Sequence, residues 1–385
     1  MGFGTLLVIA LAGIGGPLLG LSRRHFVPVM IGEVLAGVLA GDTGLRAIEP
    51  RGATLTFLAQ VGFAMLMLTA GMHLPLRDRR LFASLRGGAL LALCVGVLAV
   101  PAGFAAAALA GTAHAAIYAV VLASGSAAVL LPALQETGAS GPAVLTVMAQ
   151  VTIADVVTIV SVPIVLQPGR TAHALLGGAL VALAVLALFF LARQLAGHAW
   201  VRRVRELSKQ RHWALDLRVS LLVLFLLAWI AQKSGTSVLI AGFAAGVIVA
   251  LIGGPERLTT QVRGIADGFF VPLYFVLLGA QLDLRGLFSH PAMIALAAAL
   301  AVLNVLIHVA ASILGRLPAS AGLTASAQLG VPAAVASLGI ADGVLSPQIA
   351  AAIVASSLVS LGVCTLGVER LLATRPPPSP RPAAA

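Results

Sequence analysis

Thirteen apolar runs joined mostly by short basic connections predict an all-α polytopic membrane protein of about 13 transmembrane helices. Composition points the same way. Of the 385 residues 60% are hydrophobic and 10% charged, against roughly 25% charged in ordinary globular chains, and mean hydropathy is +1.06. A helix needs about 20 apolar residues to cross a bilayer. Runs of that order fall near 3–21, 27–41, 53–74, 87–111, 115–135, 142–166, 172–192, 217–232, 236–253, 264–281, 291–315, 319–340 and 346–372. The first lacks a basic stretch before it and a small-residue cleavage site after it, so it reads as a retained span rather than a signal peptide.

Charge placement orients these spans. Only Arg46, Arg51, Arg170, Lys233 and Arg285 fall in the even-numbered connections, while the other 19 of the 24 basic residues fall in the odd-numbered ones and the C-terminus. The positive-inside rule then places the N-terminus outside and the C-terminus in the cytoplasm of an inner cell membrane. A span missed or invented midway would blur that split, so it also supports the count. The formal charge of +11 is therefore a topology signal. No basic platform interleaved with aromatic residues accompanies it, so nucleic acid is not expected as a partner. The partner that the arginines fit is the lipid bilayer. Cys94 and Cys364 lie in apolar runs and read as small buried hydrophobes.

The longest connection, residues 200–218, separates a first membrane half (1–199) from a second (219–373). Its Arg/Lys run with Trp200 and Trp213 is expected to lie along the anionic inner leaflet as a cytoplasmic linker. The Pro-rich tail, 374–385, is expected to be disordered.

Two runs contain breakers at hydrocarbon depth. Ser124-Gly125-Ser126, with Pro132 a little later, interrupts 115–135, and Gln328, Gly330 and Pro332 interrupt 319–340. Either alone reads as an ordinary kink. Broken helices at corresponding positions of two halves instead point to a transporter's binding site, since non-helical backbone at that depth must line protein or a water-filled cavity.

Asp155 stands on the run that follows the first break. Placing an Asp mid-membrane costs on the order of 3 kcal/mol, which makes it a functional-site candidate. Thr152 and Thr158, three residues to either side, share its helix face, while Val156, Val157, Ile159 and Val160 can meet lipid or packed neighbours. The plainer alternative is an acid that pairs across helices, with threonines bonded to their own backbone. Asn304 and His308 interrupt the run before the second break. Elsewhere, Glu33 beside the Gly37/Gly41 spacing reads as a snorkelling or capped acid at a packing face, Asp267 as a local partner of Arg263 four residues earlier, and His73 and His114 as interfacial.

Several stretches together resemble one family. PVMIGEVLAGVLAGDTGL, LAQVGFAMLMLTAGMHLPLRDRR, ASGSAAVLLPALQETG with the Asp-bearing helix after it, LLVLFLLAWIAQKSGTSVLIAGFAAGVIVA and FFVPLYFVLLGAQLDLRGL are similar to the monovalent cation:proton antiporters of the Kef-type and NapA-like branch. The resemblance implies an NhaA-like fold of two inverted repeats, with two broken helices that cross near the acid, in a homodimer. It also implies that the carboxylate matching Asp155 binds cation and proton by turns. Two positions depart from the family pattern. Ala154 precedes the acid where relatives often carry Asn, Asp or Gln, and the intramembrane lysine before the second break is matched only by Asn304 and His308. The cytosolic nucleotide-binding domain of Kef-type relatives has no counterpart in this sequence.

The expected activity is exchange of Na⁺ or K⁺ for H⁺ at Asp155, with Thr152, Ser124 and Ser126 as neutral oxygen donors suited to a hard cation. A single acid suggests one-for-one, electroneutral exchange, unless His308 carries a second proton. No cofactor is expected. The alternatives are a proton-coupled transporter of an organic anion or other small solute on the same fold, or a non-transporting sensor or channel. An enzyme is not expected, because paired acids, a Ser/His constellation and HExxH are all missing.

Overall fold

The computed structural model describes residues 2–20, 29–50, 52–72, 79–127, 129–130, 134, 141–196, 198–234, 237–253 and 256–373. Arg23, Arg24, Arg51, His73, Arg77, Pro132 and the tail at 374–385, each read from sequence above, lie outside them. Among the described residues all regular structure is helical. Nine helices are long and apolar enough to cross a membrane, and three shorter apolar ones accompany them.

In the first half, α1 (Phe3–Gly20), α2 (Val29–Ala40) and α3 (Ala53–Met72) precede α4 (Arg79–Ala110), α5 (Ala115–Ala123) and α6 (Pro142–Leu166). α7 (Thr171–Ala196) and α8 (Ala199–Gln210) lead into the second half. There α9 (Leu215–Lys233), α10 (Val238–Ile252) and α11 (Glu256–Ile265) come first, and a π-helical turn at Ala266–Phe270 joins α11 to α12 (Val271–Gln281). After α13 (Leu284–Ser289) come α14 (Pro291–Leu314), α15 (Ala319–Ala325), α16 (Gly330–Ala341) and α17 (Pro347–Ala373). With each broken helix counted once and α11–α12 as one unit, the membrane segments follow the thirteen runs. Residues 215–218, assigned from sequence to the linker, are the first turn of α9.

Two bodies result. In one, α1 packs on α2, α2 on α12, and α3 on α10, with α9 beside α10. In the other, α4 packs on α5, α6 and α14, and α17 on α14, α15 and α16. The order helix, broken helix, helix thus occurs twice, as α4/α5/α6 and as α14/α15–α16/α17, and α4 meets α14 between the two. Close approach depends on small residues in the first body. A Cβ on Gly37 would strike the Val276 backbone and one on Gly41 the Ala280 backbone, so the spacing read as GxxxG packs α2 against α12. Leucine and phenylalanine side chains turned outward, Leu93 and Phe104 of α4 and Leu183 and Phe190 of α7 among them, cover the rest. In a bilayer that surface is satisfied by lipid.

Candidate functional site

Each break uncouples backbone groups that a continuous helix would pair, and in hydrocarbon each unpaired group costs several kcal/mol. α5 stops at Ala123, with Ser124 extended at φ −75°, ψ 157°. Helical geometry resumes at Ala127, and the carbonyl of Ser126 accepts the Leu130 amide at 3.0 Å. Asp155 supplies what the new helix end lacks. Its Oδ2 accepts the Ala127 amide at 3.1 Å, so the carboxylate caps the N-terminus of the second half-helix, where the helix dipole favours negative charge. Gly125 makes the approach possible, because a Cβ there would lie 2.9 Å from Val151 Cγ1 on the Asp155 helix.

The second break is bound to the first through Gln328. α15 ends at Ala325 and α16 begins at Gly330, with Pro332 in the first turn, where its missing N–H leaves no gap. Gln328 Nε2 donates to Val121 O on α5 at 2.8 Å and to Asn304 Oδ1 at 2.6 Å. Longer approaches to Leu122 O and Ser124 O, at 3.4 and 3.3 Å, complete its surroundings. Asn304 Nδ2 in turn donates to Ser326 O and Ser360 Oγ, both at 2.8 Å. One amide therefore satisfies the exposed carbonyl end of α5, a second that of α15, and the two are joined to each other. Both side chains are 1% exposed. A buried polar network of this kind is stable only when each member finds partners.

The residues singled out from sequence divide accordingly. Asp155, Ser124 and Ser126 meet at the first break, all buried. Thr152 and Thr158 are buried on the Asp155 face while Val156, Val157 and Val160 are exposed; Ile159 is packed inside. Thr158 Oγ1 donates to Ala154 O at 2.6 Å, and Ser124 Oγ to Val121 O at 2.7 Å, so each hydroxyl spends its proton on its own helix and can still offer lone pairs. Asn304 reaches the crossing. His308 does not share that role: its Nδ1 donates to Asn304 O, one turn back on the same helix, at 2.9 Å. Ser360, not singled out from sequence, joins through Asn304; its serine-rich stretch on α17 was the available signal. Glu33 departs from expectation. It neither snorkels nor caps, being 3% exposed with Oε2 lacking a hydrogen-bond partner among the described residues, because the close approach of α1 at Gly16 covers it.

A model of the sodium/hydrogen exchanger transmembrane region matches residues 6–374. The chain belongs to the sodium/hydrogen exchanger family. Relatives include "Probable Na(+)/H(+) antiporter 3" of Methanocaldococcus jannaschii, 24% identical over 92% of this chain and 93% of that protein. The Na(+)/H(+)-K(+) antiporter GerN of Bacillus cereus is 26% identical over 80% of this chain and 79% of its own length. The glutathione-regulated potassium-efflux protein KefC of Cronobacter sakazakii is 26% identical over 68% of this chain. Some relatives are much longer: the exchanger-family chain spans 42% of that KefC and 48% of a relative from Bacillus subtilis. In fold it is similar to the sodium proton antiporter MjNhaP1 of Methanocaldococcus jannaschii, with a TM-score of 0.63 and 16% identity over 96% of this chain and 97% of that one. Its relatives are transporters, not enzymes, and it is a multi-pass membrane protein.

Proposed function

We propose that the protein exchanges Na⁺ or K⁺ for H⁺ across the inner membrane by alternating access, with Asp155 holding cation and proton in turn. The observation that carries this is a carboxylate 5% exposed at a helix break, bonded to one backbone amide of the new helix end. Water is largely excluded there, so the acid holds its charge only against a cation or a helix end, and otherwise takes a proton. Cation and proton then compete for one group, which couples their movements. Ser124, Ser126, Thr152 and the unwound carbonyls beside them offer neutral oxygen of the kind a hard monovalent cation accepts.

Names among the relatives include both Na⁺ and K⁺ transport, so both ions remain candidate cargo. One acid facing a crossing held by the neutral amides of Gln328 and Asn304 favours one-for-one exchange. The N-terminus lies outside, the C-terminus in the cytoplasm, and two copies associate.

The test is proton release driven by Na⁺ or K⁺ in reconstituted vesicles, for the wild type and Asp155→Asn. Exchange by the wild type and none by the variant is expected; equal rates would overturn the assignment. An imposed membrane potential should leave the rate unchanged if exchange is one-for-one. Organic acids tried in place of the cation distinguish the solute-transporter alternative, and single-channel currents the channel.

A further inference from the structure

α8 does not lie flat on the bundle. It passes over a cavity of about 380 Å³ bounded by α7, α8, α9, α10 and α11, within the size range of small-ligand sites. Leu191 and Leu195 of α7, Val204 of α8, Val219 of α9, Ile248 of α10 and Leu258 of α11 line it. Such a void is costly when empty, in proportion to its volume, and too apolar to be filled by ordered water. Its rim has a different chemistry. Leu191, Val219 and Trp200 are 50%, 49% and 59% exposed, so the mouth opens on the lipid-facing side beside an interfacial tryptophan. Arg205 Nε stands 3.3 Å from Asp216 Oδ1, which ties α8 to the start of α9 across one edge. Ser208 Oγ closes the corner by accepting the Leu215 amide at 3.1 Å. On the outer face of α8, Arg202, Arg203 and Lys209 are exposed, with only Glu206 as an opposing charge, and that acid lies 3.6 Å from Lys209.

We propose that this cavity is a binding site for one acyl chain of an anionic phospholipid, whose headgroup is held by Arg202 and Arg203. The apolar interior suits hydrocarbon, the membrane-facing mouth admits a chain sideways from the leaflet, and the basic outer face selects a negative headgroup. Bound there, the lipid is a wedge under the only helix that joins the two membrane halves without crossing the bilayer. The inference rests on α8 lying at the leaflet surface and is independent of which ion is exchanged.

The experiment uses the purified full chain in detergent, with dioleoylphosphatidylglycerol or dioleoylphosphatidylcholine added, read by thermal unfolding and native mass spectrometry. Phosphatidylglycerol should raise the unfolding midpoint by on the order of 2–4 °C or more and stay bound as a discrete adduct, while phosphatidylcholine should do neither. Val204→Trp, which fills the cavity, should remove both the shift and the adduct. Ser220→Leu, a milder filling from α9, covers the case in which the tryptophan variant does not fold. Arg202→Gln with Arg203→Gln should keep an adduct but lose the preference for the anionic lipid. Equal shifts from the two lipids would overturn the proposal. So would an undiminished shift in a folded cavity-filled variant, or loss of dimer mass in that variant with no lipid adduct in the wild type, which would assign the cavity to a second copy of the chain.

Discussion

Replacing Gln328 with alanine should weaken the fold before it changes ion preference, because its amide is what the carbonyl end of α5 and the Asn304 side chain share. Leaving buried acceptors without a donor costs about 1–3 kcal/mol each. A lowered unfolding midpoint together with slow exchange is expected for Gln328→Ala, measured on the same purified sample. An unchanged midpoint would show that the amide is dispensable. Asn304 and His308 looked equivalent in the sequence, two polar residues four positions apart on one helix. The structure separates them, since Asn304 spends both donors across the crossing and His308 turns to its own backbone. Accordingly His308→Gln should leave the pH profile of exchange where it is, whereas Asn304→Leu should abolish exchange. A shifted profile in His308→Gln would restore histidine as a second proton carrier.

For the helices, the informative positions are glycines at close approaches. Gly125 lies against Val151, and a larger side chain must push the first break away from the Asp155 helix. Gly125→Val is therefore expected to lower exchange by disturbing the Ala127–Asp155 contact, while Gly96→Ala, on α4 with open space around its Cβ position, should behave as wild type. Exchange rates in vesicles at matched protein content compare the two. Both breaks could be located from sequence because Gly and Pro inside an apolar run are local signals. Which residues would satisfy the broken ends could not be: Gln328 meets α5 across 207 positions of sequence, and no local pattern encodes that distance. The π-helical turn at Ala266–Phe270 was also unforeseen, since its residues read as continuous helix.

At the scale of the molecule, the two bodies touch outside the crossing at a polar contact. Gln348, at the start of α17, donates from Nε2 to Asp283 Oδ2 at 2.7 Å, and Asp283 caps α13 by accepting the Gly286 amide at 2.8 Å. Should one body move against the other during transport, this contact must open. Asp283→Cys with Gln348→Cys, bridged by a short bifunctional thiol reagent, is predicted to stop exchange until the bridge is cleaved. Undiminished exchange in the bridged protein would mean that the bodies do not separate there.

Hydrophobicity and charge are properties of single residues summed along the chain, so the sequence alone could determine the membrane class, the number of segments, the two interruptions and the exceptional acid at Asp155. The capping of a helix end by that acid, the replacement of an expected lysine by an amide pair, and the covering of Glu33 were decided only by tertiary structure. Each depends on which unsatisfied groups happen to meet when distant helices pack, and in a medium without water those meetings determine where a polar group can remain.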